Sequence, residues 1–365
     1  MDRRADRPRG GIHRDDCFPC ILGAQGAGGD PCDRRARDAR GVPGRRATLL
    51  AALLAAMAGA AHAQPGLAWP VKPVRMIAPF PPGGSSDLIA RVVAQKMSEA
   101  LASGVIVDNR PGAGSNLGTA MAARAAPDGY TVLVSSVTAA INMTLVKNPG
   151  FDLLKDFAPV STLAVGPTAL VLHPSVPAKS VLELVRLAQA KPGTLNYGSG
   201  GAGTPSHISG EMFRHMARAP ITHVPYKGTG QAVTDLLAGQ IQLVFASMPV
   251  VVQHMKTGRL RTLAVTGAQR TPLAPELPTM AESGVPGYAF DAWWGLVTNA
   301  GVPRRIIDQM NAVVRRGQQS PDVRERFAEL GIDPLHSSPE EFASFTRAEM
   351  TRLAKIIRET GMQAD

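Results

Sequence analysis

Cysteine is nearly missing from this chain of 365 residues, and the three present, Cys17, Cys20 and Cys32, all fall near its start. From residue 33 onward there is no thiol, which excludes a disulfide framework, a thiol nucleophile and a cysteine-ligated metal from that region. Cys17-Phe-Pro-Cys20 has redox or zinc spacing but no strand–helix–strand pattern around it, so it is a weak signal. Aromatic residues make up only 5%, too few for a surface built to stack bases. Long apolar runs are absent too. The stretch Ala47–Ala58 falls well short of the roughly 20 residues that span a bilayer.

Positive charge is plentiful but spread out. The net charge is +10, with eleven arginines and seven acids in residues 1–63, leaving 28 basic and 22 acidic residues in the other 302. No Lys/Arg run dominates that remainder, which excludes the electrostatic stripe of a nucleic-acid binder; a diffuse positive field suits capture of small anions. There is no G-x-x-x-x-G-K-[ST] and no G-x-S-x-G, and His173, His215, His223, His254 and His336 show no metal spacing. No metal site is expected.

What is present begins with an export signal. Arg45-Arg46, the apolar run after them and Ala61-His62-Ala63 form the charged, apolar and A-x-A parts of a secretory signal peptide. Residues 42–63 are read as that signal, cleaved after Ala63, with Sec and twin-arginine export both open. Residues 1–41 are rich in Arg, Gly and Asp without hydrophobic periodicity; they read as disordered or as a mis-assigned start, with translation beginning near Val42.

The rest alternates short apolar strands with amphipathic helices, the mark of an α/β fold. Val74–Ala78 is a strand, Pro79–Ser86 a loop, and Asp87 onward a helix; strand 105–107, loop Pro111–Gly114, a helix through Arg124 and strand 130–135 follow. A second unit repeats this order with strand 194–197, loop 198–205, helix 207–216, strand 221–224, loop Tyr226–Gly230, a helix through Leu237 and strand 242–246. Gly83 to Gly112 is 29 residues and Gly200 to Gly228 is 28. This predicts two similar lobes with glycine loops at strand C-termini, where open α/β sheets bind ligands. Strand 262–266 and a Pro-rich link follow, with a short helix from Thr279. The tail reads as helices 306–316, 321–330 and 339–360, the last capped by Ser338 with Pro339 at its first position.

A helix N-terminus carries unpaired N–H groups and the positive end of the helix dipole, so it attracts carboxylates. Gly83, Gly84, Ser85 and Ser86 in one unit, and Gly200–Thr204 with His207 in the other, offer two such cradles for one small anion. Plain turn chemistry would also explain each loop taken singly. Gly198–Gly203 matches G-x-G-x-x-G, yet the place of the ribose-binding acid holds His223-Val224-Pro225, so no dinucleotide cofactor is expected. An exported α/β hydrolase-like enzyme using Ser199 and His207 is the rival reading. Asp87 and Arg91 read as a bracing pair, and Trp293-Trp294 as either a pocket wall or core.

The motifs PFPPGGSSDLIAR (79–91), NRPGAGSNLGT (109–119), PDGYT (127–131), YGSGGAGTPSHISGE (197–211), HVPYKGTG (223–230), LAVTGAQRTPL (263–273) and PTMAESGVPGY (278–288) occur in order, followed by Trp294-Gly295-Leu296. Together they resemble the Bug family, the periplasmic receptors of tripartite tricarboxylate transporters. The resemblance implies a two-lobed Venus-flytrap fold of the periplasmic-binding-protein type, type II-like, with crossovers near Thr168–Val171 and Leu296–Asn299. Lobe 1 would be residues 68–168 plus 297–365 and lobe 2 residues 169–296. It implies a non-enzymatic, monomeric periplasmic receptor that needs no cofactor, takes a small organic carboxylate and delivers it to a membrane permease. Carried over by motif, the ligand residues are Pro82, Gly83, Gly84, Ser86 and Asp87, then Ser199, Gly200, Gly203, Thr204 and His207. Ser136, Thr138, Ala246 and Ser247, taken as strand ends, would face the variable part of the ligand. Two departures matter: in Thr138-Ala139-Ala140-Ile141-Asn142 there is no histidine before Ala-Ile-Asn, where many relatives carry one, and Ala246 stands where they often carry aspartate. The second leaves no partner for a ligand ammonium and points to a non-amino acid.

Overall fold

The computed structural model describes residues 69–101 and 103–364. The expectations for residues 1–63, namely the disordered start, the signal peptide, its cleavage site and the cysteines, lie outside the described residues.

Both strand–loop–helix units form. In the first, β1 (Val74–Ala78) leads into α1 (Ser85–Leu101), β2 (Val105–Asn109) into α2 (Asn116–Ala123), and β3 (Thr131–Ser136) into α3 (Val137–Leu145). β4 (Phe157–Leu172) and α4 (Val181–Ala190) connect to the second unit. There β5 (Asn196–Ser199) leads into α5 (Pro205–Met216), β6 (Thr222–Pro225) into α6 (Thr229–Leu237), and β7 (Leu243–Ser247) into α7 (Met248–Lys256). β8 (Arg261–Val265), β9 (Asp291–Asn299), α8 (Arg304–Gln319), α9 (Pro321–Glu329), β10 (Asp333–Pro334) and α10 (Pro339–Thr360) complete the chain.

Among the described residues the strands follow the order β2-β1-β3-β9-β4-β7-β5-β6, with β8 and β10 also on β4. Within each unit the strands β1, β2 and β3, or β5, β6 and β7, pair in parallel, as right-handed strand–helix–strand units require. The 16-residue β4 joins them. Its residues 157–167 pair antiparallel with β9, and residues 168–172 with β7. Leu170 and Leu172 pack into one apolar cluster, Ala169 and Val171 into another. Burial on both faces explains why this stretch is an unbroken apolar run rather than an alternating one.

One crossing between the sheets lies between Pro167, opposite Asp291, and Thr168, opposite Ser247. The other lies further along the chain. Phe290 still donates to the Thr266 carbonyl at 2.8 Å, but from Asp291 the chain pairs with β4 and then β3. The crossing is therefore at Phe290–Asp291 rather than Leu296–Asn299, and residues 292–296 lie with the first sheet instead of in the expected span 169–296. The helix expected at Thr279 does not form. Thr279 bridges to Val265 and exchanges hydrogen bonds with Glu282, and Gly284, with φ +97°, turns the chain away after one turn. At the other end of the chain Ser338 caps α10 as expected, and Glu341 returns the bond to its amide.

Candidate functional site

Each parallel strand ends in a helix N-terminus, and five of these ends line one cavity of about 390 Å³. α1 contributes Ser85 and Ser86, α3 its N-cap Ser136 and Thr138, and α5 its N-cap Thr204 and Pro205. α6 adds its N-cap Gly228 with Thr229, Gly230, Gln231 and Thr234, and α7 its N-cap Ser247. Phe80, Pro81, Pro82, Gly83 and Gly84 form one side, and Trp294 of β9 completes the wall. No Asp, Glu, Lys, Arg or His is among these lining residues. The field inside is set by backbone. Each helix end carries about half a positive charge, and its first N–H groups have no intrahelical acceptor. Thr138 is fully buried, and its hydroxyl finds no partner among the described residues. The cavity is thus lined without charged side chains and polarised by helix ends to take an anion.

The loops are held by side chains behind the wall. Asp87 is buried; its Oδ2 accepts from the Gly83 amide at 2.9 Å and from Arg91 at 3.0 Å, and its Oδ1 from Asn109 at 3.0 Å. Burial alone would raise its pKa, but the bonds from Arg91, Gly83 and Asn109 outweigh it and hold the carboxyl below its ordinary range. In the second unit the Gly200 amide donates to Ser206 Oγ at 3.0 Å, the Gly201 amide to Ser199 Oγ at 3.0 Å and the Gly203 amide to His207 Nδ1 at 3.3 Å. His207 stacks on His223 with centroids 4.2 Å apart.

Residues 89–362 match the tripartite tricarboxylate transporter family receptor. The chain belongs to this receptor family. BugT of Bordetella pertussis is 37% identical over 295 residues, covering 80% of this chain and 90% of BugT. A Rhodopseudomonas palustris protein, Rpa4515, solved with adipate, is 33% identical with a TM-score of 0.79, over 81% of this chain and all of its own. MatC from the same organism, solved with malate, is 29% identical with a TM-score of 0.76, over 79% of this chain and all of its own. The α/β periplasmic-binding-protein fold follows, as does the standing of the family as solute-binding receptors.

Of the residues nominated from sequence, the receptor places Pro82, Gly83, Gly84, Ser86, Ser136, Thr138, Thr204 and Ser247 on the cavity wall. Asp87, Ser199, Gly200, Gly203, His207 and Ala246 are not on it. Asp87 and His207 hold loop amides from behind, and the amides of Gly200 and Gly203 are already spent on side chains. Ala246 is buried within the sheet opposite Ala169. Ser199 is fully buried and bonds His223 Nε2 at 2.6 Å rather than His207, so the pair on which the hydrolase reading rests is not assembled. Ser136 and Ser247 end strands as expected but also cap α3 and α7, two helices not anticipated. The α6 residues Thr229, Gln231 and Thr234 were missed, although the 28-residue spacing to Gly228 pointed to their loop. Trp293 and Trp294 divide between the two readings left open. Trp293 packs against Phe342 and Phe345, while Trp294 walls the cavity.

Proposed function

We propose that this receptor is exported to the periplasm, captures a small organic carboxylate between its two lobes and delivers it to the membrane permease of a tripartite tricarboxylate-type transporter. What supports this most is the convergence of five helix N-termini on a cavity with no charged side chain. Carboxylates gain from each helix end, whereas a cation finds no counter-charge. The absence of an acidic side chain on the wall also argues against an α-amino acid, whose ammonium would be left unpaired in a desolvated site. The ligand is therefore a non-amino acid of the class represented by the adipate and malate found with two relatives. The receptor acts without a cofactor, as a monomer, after loss of residues up to Ala63.

Thermal unfolding across a library of organic acids tests this. An acid present at 100 times its Kd should stabilise the native state by about 2.7 kcal/mol, read as a raised Tm. Aspartate and glutamate should leave Tm unchanged. Tight aspartate binding overturns the exclusion of amino acids, and silence across the whole library overturns the receptor reading.

A further inference from the structure

The second glycine loop of the first unit, residues 112–115, contributes nothing to the cavity wall. It is nevertheless the longest run of positive φ among the described residues. Gly112, Ala113, Gly114 and Ser115 have φ of 138°, 47°, 56° and 76°, four consecutive residues at positive φ, two of them with side chains. Such backbone persists only where its surroundings over-determine it. What it meets lies in the other unit: a Cβ added to Gly114 would sit 2.4 Å from the Ala202 carbonyl oxygen. Beside it is Asn142 of α3, fully buried, whose Nδ2 donates to the Gly114 carbonyl at 2.8 Å and to Asn116 Oδ1 at 2.7 Å. Its Oδ1 has no partner among the described residues and faces Gly203, where an added Cβ would lie 1.9 Å away. Asn142 thus grips its own unit with its nitrogen and abuts the opposite loop with its oxygen.

We propose that Asn142 and Gly114 are positioning residues for ligand capture. They form the seat on which turn 201–203 of the second unit comes to rest, and so fix Thr204 and the α5 N-terminus at the cavity wall without touching ligand themselves. The two glycines are required because no side chain fits between the backbones, and the left-handed loop presents Gly114 with its carbonyl turned to Asn142. The seat lies outside the cavity wall, and its effect on affinity rests on the ligand reading above. Its coupling of the two units does not.

Two measurements on the full chain decide it. Without ligand, Asn142→Ala should speed amide hydrogen exchange in both 113–116 and 201–204; a change confined to 113–116 overturns the coupling. With adipate and malate as probes, Gly114→Ala and Asn142→Ala should each weaken binding by about tenfold or more, within the range of site-to-site coupling. Gly258→Ala is the control, because Gly258 is also left-handed, at φ +67°, but has nothing within 4 Å of an added Cβ, and its binding should match wild type. Gly114→Ala and Gly258→Ala share the cost of a side chain at positive φ, so a loss seen only in Gly114→Ala comes from meeting Ala202. Binding by Gly114→Ala within twofold of wild type overturns the proposal. Should the wild-type chain bind neither acid, the ligand reading is what fails, and the exchange measurement still decides the seat.

Discussion

Gly83 and Gly203 begin their cradles in the same way, yet the side chains behind them differ in kind. In each, the glycine amide donates to the residue four positions on, the third residue of the following helix. In the first unit that acceptor is the carboxylate of Asp87, in the second the imidazole Nδ1 of His207. The carboxylate needs compensation and has it from Arg91 and Asn109, on the side away from the cavity. The imidazole accepts through Nδ1, and its electrostatic neighbour is Glu211, four positions further along α5. One geometry is reached by two chemistries, so the charge of the bracing residue says nothing about the ligand. The second pair of glycine loops parts company further, since 228–230 lines the cavity while 112–115 meets the opposite unit.

The sharpest way to break this second contrast is to add one methyl group to each helix that follows. A Cβ on Gly118 in α2 would lie 2.5 Å from the Arg110 carbonyl oxygen and 3.0 Å from Pro79, whereas one on Gly230 in α6 meets nothing within 4 Å. Overpacking against backbone should make Gly118→Ala cost about 2–3 kcal/mol in urea unfolding. Gly230→Ala should stay within about 1 kcal/mol of wild type, helped by better helix propensity. Equal losses would mean that the two helices are packed alike.

The first contrast is sharpened by pH. Asp87 has its pKa depressed on folding, so its contribution is present above the unfolded-chain value of about 4 and is lost as pH falls through the folded value. Asp87→Asn should therefore cost about 1–2 kcal/mol at pH 7, and the gap from wild type should close towards pH 3. A gap that stays constant over that range would show that the carboxylate's charge plays no part in bracing the loop.

Much of this was legible in the chain itself. Strand β1 and helix α10 lie where the apolar alternation and the Ser338-Pro339-Glu340-Glu341 start place them, because local signals and burial agree there. Eight of the fourteen nominated residues line the cavity, since a glycine- or serine-rich strand end followed by a helix positions its own first turn. What was not legible depends on contacts distant in sequence. Asp87 and His207 have residue types that suggest chemistry, but three-dimensional packing turns both away from the cavity. The second crossover was misplaced because Trp294-Gly295-Leu296-Val297 reads as one apolar run, and only pairing with β3 and β4 shows that the run already belongs to the first sheet. Thr234 escaped notice because nothing local distinguishes a wall residue from any polar position on α6.

The smallest expected effect concerns the imidazole brace. Accepting from Gly203 requires Nδ1 of His207 to carry no proton, so the bond depends on an acceptor at that point rather than on an imidazole as such. Asparagine can place an amide oxygen near the same spot, whereas leucine cannot. His207→Leu should cost about 1 kcal/mol more than His207→Asn in urea unfolding, the worth of one buried amide left unpaired. His207→Asn should also keep more of the acid-induced rise in Tm, because the 201–204 turn stays in place. Should the two variants behave alike, the stacking of His207 on His223, and not the bond to Gly203, is what holds the second cradle, and the parallel with Asp87 ends at sequence spacing.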